Sequence, residues 1–325
     1  MLLKIRRFVL GKDEADWVKV YNAIYYLHPS QALIAVEDFR KGEKDPTFDT
    51  NGRFIAEVND SPVGFVHASV DKFREDKKGF VWKFGVIPEF RGQGIEEKLA
   101  ETAMVELKKR GMKAVQSLVE GGLGEDVRVW RKFDFKHVRR SSIMAERLNE
   151  IKSNVGENME VVLEPLRKDA NEDLELLNRL HNESFKEHFN YRPTPLESTV
   201  YQVREDFSWK TQGWFFALLE GKHVGFVGAG IGELDNRASM RAINVKRGWI
   251  LPRGWILGSG VLKPHRRRGI GTRLILHGMN FLKAEGMTTA MLGVDDSNVT
   301  KAKQLCEKVG FREVWKQSFY EKSIA

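Results

Sequence analysis

The strongest constraint on this chain is an internal repeat. Residues 85 to 112 laid over residues 260 to 287, a shift of 175, match at Gly85/Gly260, Val86/Val261, Arg91/Arg266, Gly94/Gly269, Ile95/Ile270, Leu99/Leu274, Met104/Met279, Leu107/Leu282, Lys108/Lys283, Gly111/Gly286 and Met112/Met287. Eleven identities in twenty-eight ungapped positions stand against about two expected from composition, and self-similarity of this kind marks duplicated structural units. A second block, Val63-Gly64-Phe65-Val66, matches Val224-Gly225-Phe226-Val227 at a shift of 161, so the second copy carries fourteen more residues between the blocks, around Glu233 to Pro252. A chain of 325 residues has room for two domains of ordinary size. The repeat divides it into domains 1–150 and 158–325, with the polar stretch Arg147 to Glu157 as the linker.

Each copy spells the same order of elements. In the second, Met159 to Leu166 reads as a strand and Asp173 to His188 as a helix, apolar along Leu174, Leu177, Leu180 and Phe185. Trp214 to Leu219 and His223 to Ile231, joined by Glu220-Gly221-Lys222, form a hairpin. Then come a strand (Trp255 to Leu262), a Gly-rich turn, an amphipathic helix (Gly271 to Glu285, closed by Gly286) and a strand (Thr289 to Val294). A helix from Val299 to Val309 and a closing strand through Phe319 and Tyr320 complete the copy. The first copy repeats the hairpin as Phe54 to Val58 and Val63 to Val70. Each half is therefore mixed α/β.

Composition narrows the function classes. No apolar run approaches the roughly 18 residues of a membrane-spanning helix. Charges interrupt Met1-Leu2-Leu3-Lys4-Ile5-Arg6-Arg7 before a signal-peptide core of about 7 residues forms, so a cytoplasmic location is expected. Cys306 is the only cysteine, which excludes an intrachain disulfide and argues against a cysteine-based zinc site; no metal is expected. The 53 Lys and Arg against 45 Asp and Glu give a net charge of +8, which favours a nucleic acid, an anionic membrane surface or a polyphosphate cofactor as partner.

The chemistry concentrates in Arg266-Arg267-Arg268-Gly269-Ile270-Gly271, between a strand and its helix. Glycines let backbone N–H groups close on a ligand, and a helix start offers unpaired donors and partial positive charge, a geometry that binds anions. Adjacent arginines add long-reach donors suited to phosphate. The order strand, R-x-x-G-x-G, helix, strand, Asn, helix, Gly-Phe, carried here by Val261, Arg266 to Gly271, Asn298, Ala302, Leu305 and Gly310-Phe311, resembles the GNAT superfamily of acetyl-CoA-dependent N-acetyltransferases. The tandem arrangement is similar to that of the mycothiol synthase type of two-domain acetyltransferase. The resemblance implies two GNAT folds of α/β (α+β) class, each a mixed, mostly antiparallel sheet flanked by helices. It implies acetyl-CoA as co-substrate and an amine, small molecule or peptide, as acceptor. It places the pyrophosphate on the amides of Arg268, Gly269, Ile270, Gly271, Thr272 and Arg273, the pantetheine on the backbone of Val261, Leu262 and Lys263, and Asn298 beside the cofactor arm.

The first copy departs from this pattern. Its turn reads Arg91-Gly92-Gln93-Gly94-Ile95-Glu96, and Gly122, Trp130 and Asp134 stand for Asn298, Cys306 and Gly310. A carboxylate about 4 Å from a phosphate costs on the order of 4 kcal/mol at an effective dielectric near 20, so Glu96 competes with the ligand where the second copy has Gly271. The first domain is expected to have a degenerate cofactor motif and the second to be catalytic. Family members often supply the thiolate's proton from a Tyr four residues before Gly-Phe; here that position is Cys306, with Tyr320 as a substitute donor and Asp295 or Asp296 as acidic candidates for the base. The resemblance puts the acceptor between the first helix and the hairpin loops, near His181, Glu183, Glu187, His188 and Tyr191. The insert, with Arg237, Arg241, Lys246, Arg247 and Trp249, is basic and aromatic. Two other classes stay open: an acyl-CoA sensor without catalysis, and a basic nucleic-acid binder with Trp249 and Trp255 stacking on bases. A nucleic-acid role is disfavoured because the densest basic run coincides with the anion-binding turn.

Overall fold

The computed structural model describes residues 2–26, 33–120, 124–151, 158–206, 208–232 and 252–325. Gly122, most of the expected linker and the basic insert up to residue 251 lie outside the described residues. In chain order the first half contains β1 (Leu3–Arg7), α1 (Glu14–Tyr25), α2 (Val36–Gly42), β2 (Arg53–Val58), β3 (Ser61–Val70), β4 (Lys78–Val86), α3 (Ile95–Lys109), β5 (Ala114–Glu120), α4 (Gly124–Lys132) and β6 (Lys136–Arg147). The second contains β7 (Val162–Pro165), α5 (Asn171–Phe185), α6 (Leu196–Arg204), β8 (Trp209–Leu219), β9 (Lys222–Gly232), β10 (Arg253–Val261), α7 (Ile270–Ala284), β11 (Thr289–Asp295), α8 (Ala302–Lys308) and β12 (Arg312–Ser323). No described helix is long and apolar enough to cross a membrane.

The chain forms two compact units, Met1–Arg140 with Lys316–Ala325, and Ser141–Trp315. In the first, β1-β2-β3-β4-β5 is closed by Gln317–Ser323 of β12, all antiparallel except β4 with β5, which run parallel over Lys78–Val81. In the second, β7-β8-β9-β10-β11 is closed by Ser141–Arg147 of β6, all antiparallel except β10 with β11. These mixed, mostly antiparallel sheets are the expected fold class. The division differs from one at 150/158, because each sheet ends on a strand from the far half of the chain. Alternation along a strand reports which residues face a core, not which sheet the strand joins.

β9 carries the second unit's packing on both faces. Val224, Val227 and Ala229 meet the α7 stripe Ile270, Leu274 and Met279, with Phe311 fully buried in the same cluster. Phe226, on the opposite face, packs with Leu177 and Leu180 of α5 and with Trp214. Full burial of each such side chain contributes about 2 kcal/mol. The first unit mirrors this with Ile95, Leu99 and Leu107 of α3 on one face, and Trp17 of α1 stacked 4.5 Å from Phe65 on the other. The duplication extends to backbone irregularity: the β3/β4 and β9/β10 registers both slip, skipping Trp82 in one and Leu257 in the other, residues 175 apart.

Two local features differ from the sequence pattern. Helix α6 was not signalled by a strong apolar stripe and starts behind Pro195. Helix α8 begins at Ala302 rather than Val299, because Asn298 Oδ1 accepts from both the N–H and the hydroxyl of Thr300, forming a local turn, and Lys301 then adopts φ 60°.

His67, inside β3, is buried with its Nε2 2.9 Å from the Asp49 carbonyl, and burial together with the Arg53 cation pushes its pKa down from 6.5 to about 4. The unfolded chain takes a proton there below pH 6.5, whereas the folded chain does not until about pH 4. Stability is therefore full above pH 6.5 and falls as the pH drops through that window, by at most about 3 kcal/mol. Urea melts at pH 7 and pH 4.5 should show this loss, and His67→Gln should shrink it; an unchanged pH dependence in the variant contradicts the assignment.

Candidate functional site

The second unit's turn is built to leave donors free. Arg267 (φ 63°) and Gly269 (φ 77°) adopt left-handed backbone, and Gly269 caps α7 without any side-chain hydrogen bond to the helix start. The first turn of α7 holds no acidic residue, and the Arg273 N–H is the first to find a partner, the Gly269 carbonyl at 3.1 Å. The N–H groups of Ile270, Gly271 and Thr272 precede that bond and stand at the positive end of a 15-residue helix. Arg267 and Arg268 are exposed beside them. A diphosphate fits this chemistry.

Not all the arginines serve it. Arg266 turns inward: its guanidinium donates to the Val261 carbonyl (3.0 Å), the Ser184 carbonyl (3.0 Å) and Glu187 (2.8 Å). Arg91 donates to the Val86 carbonyl in the same way at 3.0 Å, so this repeated arginine closes the turn in both copies. Arg273 likewise donates to the Val161 carbonyl at 2.9 Å. The Arg266 side chain, expected as a phosphate donor, is thus engaged by protein, and so is the Arg273 N–H, expected on the pyrophosphate, which bonds the Gly269 carbonyl.

Next to the turn the sheet splits. β10 and β11 pair only over Arg253–Trp255, and beyond that point Ile256 to Val261 and Leu292 to Asp295 line a cavity of about 1410 Å³. The Leu262 N–H donates to the Val224 carbonyl at 2.9 Å, and alternation of an antiparallel ladder then turns the N–H groups of Ser259 and Val261 away from β9, toward the side β11 has left. Of the three residues expected to bind a pantetheine arm, Leu262 is spent on β9, the Lys263 carbonyl accepts the Arg266 N–H at 3.3 Å, and Val261 keeps its N–H. Ser259, one step deeper, was missed, because only the register shows which way its N–H points.

Helix α5 and the segment after it form the opposite wall, with His181, Ser184, Phe185 and His188 lining the cavity. Burial holds His181 down at about 4 and, with help from Arg266, holds His188 below its ordinary value against the opposing carboxylates of Asp295 and Glu187. Both imidazoles are neutral at pH 7. Asn298, its Oδ1 fixed by Thr300, directs its amide nitrogen at His188 Nε2, 3.4 Å away. Glu187 pairs with Lys263 as well as Arg266, both at 2.8 Å.

The expected catalytic residues separate. Cys306 lines the cavity but is 5% exposed, and burial pushes its thiol up to about 12. Handing that proton to a thiolate of ordinary pKa near 8.5 is uphill by about 5 kcal/mol, so the thiol is a poor acid and no nucleophile. Tyr320, 6% exposed, lies in the first unit's core, opposite Ser117 on β5 and edge-on to His137, and does not line the cavity. Asp295 lines the cavity, and its carboxylate accepts the Ser297 N–H at 3.0 Å.

The first unit's turn has the same backbone, with Gly92 (φ 70°) and Gly94 (φ 83°) in left-handed conformation. There Glu96, 4% exposed, accepts the Gly92 N–H at 3.2 Å, so a carboxylate of the chain itself occupies the cradle.

The Arg266 clamp leads to a stability contrast. Arg266→Ala should lose about 2 kcal/mol of stability in urea denaturation, since it leaves the Val261 and Ser184 carbonyls without their donor and Glu187 with Lys263 alone. Arg268→Ala should melt like the parent. Equal effects of the two would overturn the distinction between clamp and free cation.

Both halves of the chain are similar to known proteins. The model of the acetyltransferase (GNAT) family matches twice, at residues 16–135 and 175–311. A mycothiol acetyltransferase of Thermobispora bispora is 31% identical over 137 residues, 41% of this chain and 46% of that protein. One of Amycolatopsis mediterranei is 32% identical over 138 residues, again 41% and 46%; the match spans about half the length of these curated relatives. Among solved structures, a GCN5-related N-acetyltransferase from Sphaerobacter thermophilus has a TM-score of 0.69 at 17% identity, covering 99% of this chain and 96% of that one. A tandem GNAT protein from the clavulanic acid biosynthesis pathway has a TM-score of 0.72 at 13% identity, covering 100% and 99%. At such identities these structures share a fold. With both copies matched by the family model, the chain belongs to the acetyltransferase (GNAT) family.

Proposed function

We propose that the second unit is an acetyl-CoA-dependent N-acetyltransferase acting on an amine by direct attack, and that the first unit's equivalent cofactor site is closed. The observation that carries this reading is one cavity in which an uncapped helix start adjoins an open strand edge, while Glu96 fills the corresponding turn of the first unit. The amides of Arg268 to Thr272 would hold the pyrophosphate, with Arg267 and Arg268 answering its charge. The N–H groups of Val261 and Ser259 would hold the arm and polarise its carbonyl, and Asn298 would lie beside it.

Acetyl-CoA supplies an acetyl thioester, whose C–S bond breaks as a C–N bond to the acceptor forms. The acceptor reaches the site as an ammonium and must lose a proton before its lone pair is available. His188, kept neutral by burial, takes that proton at Nε2, the lone-pair nitrogen toward which the Asn298 amide is directed, and Asp295 stabilises the resulting imidazolium. With Cys306 and Tyr320 unsuited as donors, the departing thiolate takes, through water, the second proton that the nitrogen sheds once the C–N bond has formed.

Calorimetry with acetyl-CoA should count one site per chain, and purified enzyme with a panel of amines should release free thiol. Gly271→Glu, which copies the first unit, should weaken acetyl-CoA at least about a hundredfold. Unchanged affinity in that variant would falsify the cofactor assignment, and binding without thiol release from any amine would leave an acyl-CoA sensor. His188→Gln should leave acetyl-CoA affinity within twofold and remove the acidic limb of the kcat/KM profile, a limb lying below pH 6.5 because burial lowers this group's pKa. A variant that keeps the limb assigns the base elsewhere.

A further inference from the structure

Polar atoms on the α5 wall lack a hydrogen-bond partner among the described residues. Ser184 is 3% exposed, lines the cavity, and its hydroxyl makes no hydrogen bond to the described residues. A buried hydroxyl left unpaired costs about 1–3 kcal/mol relative to one that is paired. His181, one helical turn earlier on the same wall, has an unpartnered buried Nδ1 as well. Polar groups in this condition answer a polar atom that arrives with a ligand.

Position says which atom. Ser184 packs against Gly260 of β10, so closely that a Cβ there would stand 2.9 Å from the hydroxyl oxygen. Gly260 lies between Ser259 and Val261, the residues whose N–H groups face the open edge. The hydroxyl thus approaches from the helix side the stretch of strand that those amides serve from within the sheet. The Arg266 guanidinium holds the Ser184 carbonyl at 3.0 Å, tying this residue to the cofactor turn.

The duplication supplies a control. Gly85 is the repeat counterpart of Gly260, and a Cβ on it would meet Ile24 at 3.1 Å. Where the closed unit completes its core with a hydrocarbon, the open unit keeps a hydroxyl that weakens its own packing.

Resting on the reading of the second unit as the acetyl-CoA site, we propose that the Ser184 hydroxyl donates a hydrogen bond to the acyl carbonyl oxygen of the bound thioester, reinforcing the backbone amides as negative charge grows there.

Ser184→Ala is the direct test, with four readouts. The variant should melt at or above the parent temperature, since it removes an unsatisfied group, and desacetyl-CoA should bind within twofold of the parent by calorimetry. The carbonyl stretch of bound ¹³C-labelled acetyl-CoA, read by isotope-edited infrared difference, should move toward its free-solution frequency, and kcat should fall about ten- to a hundredfold. Ser184→Thr, which keeps the donor, should restore the stretch. If the variant binds both cofactors like the parent and the stretch does not move, the proposal fails while the cofactor site stands. If the parent chain binds neither cofactor, both fall.

Discussion

Backbone N–H groups taken out of water must find acceptors, and in the second unit two strands that begin as neighbours stop pairing in the interior. β10 and β11 share three residues of register and then diverge. From that point the inner edge of β10 points its N–H groups into the cavity. The bulge at Leu257, the α5 wall and the α7 start all border this gap, which no strand fills.

The gap needs a fixed frame, and Arg266 supplies it. Through the carbonyls of Val261 and Ser184 and the carboxylate of Glu187 it joins the end of β10, the last turn of α5 and the start of the phosphate-sized turn. On the other rim Lys303 bonds Ser142, Asp296 and Glu313, each at 2.9 Å, and so steadies the loop that carries Asp295 and Asn298. Partly buried, multiply bonded cations of this kind hold geometry. An arginine read as a ligand donor from its neighbours in sequence is in this protein part of the scaffold.

The two units show how little separates an open site from a closed one. Backbone dihedrals of the turn, position of the bulge and the arginine clamp are shared. The difference lies in side chains: Glu96 against Gly271 in the cradle, Ile24 against Ser184 under the strand. In the first unit the chain satisfies its own donors and fills its own space; in the second it leaves both open.

The sequence alone was enough for the duplication, the order of elements apart from α6, and the turn before α7, because these rest on local periodicity, turn chemistry and the left-handed backbone that Gly269 tolerates without strain. Glu96 was legible as an obstruction for the same reason, since its carboxylate acts on N–H groups a few residues away. Tertiary structure alone decided where each sheet ends, since Ser141–Arg147 and Gln317–Ser323 pair with strands far away in the chain. It sent Tyr320 into the first unit's core and sealed the Cys306 thiol, because burial is a sum over distant neighbours that no local spacing encodes. It turned Arg266 inward and brought Ser184 to Gly260, contacts spanning 82 residues in the first case and no fixed period in the second.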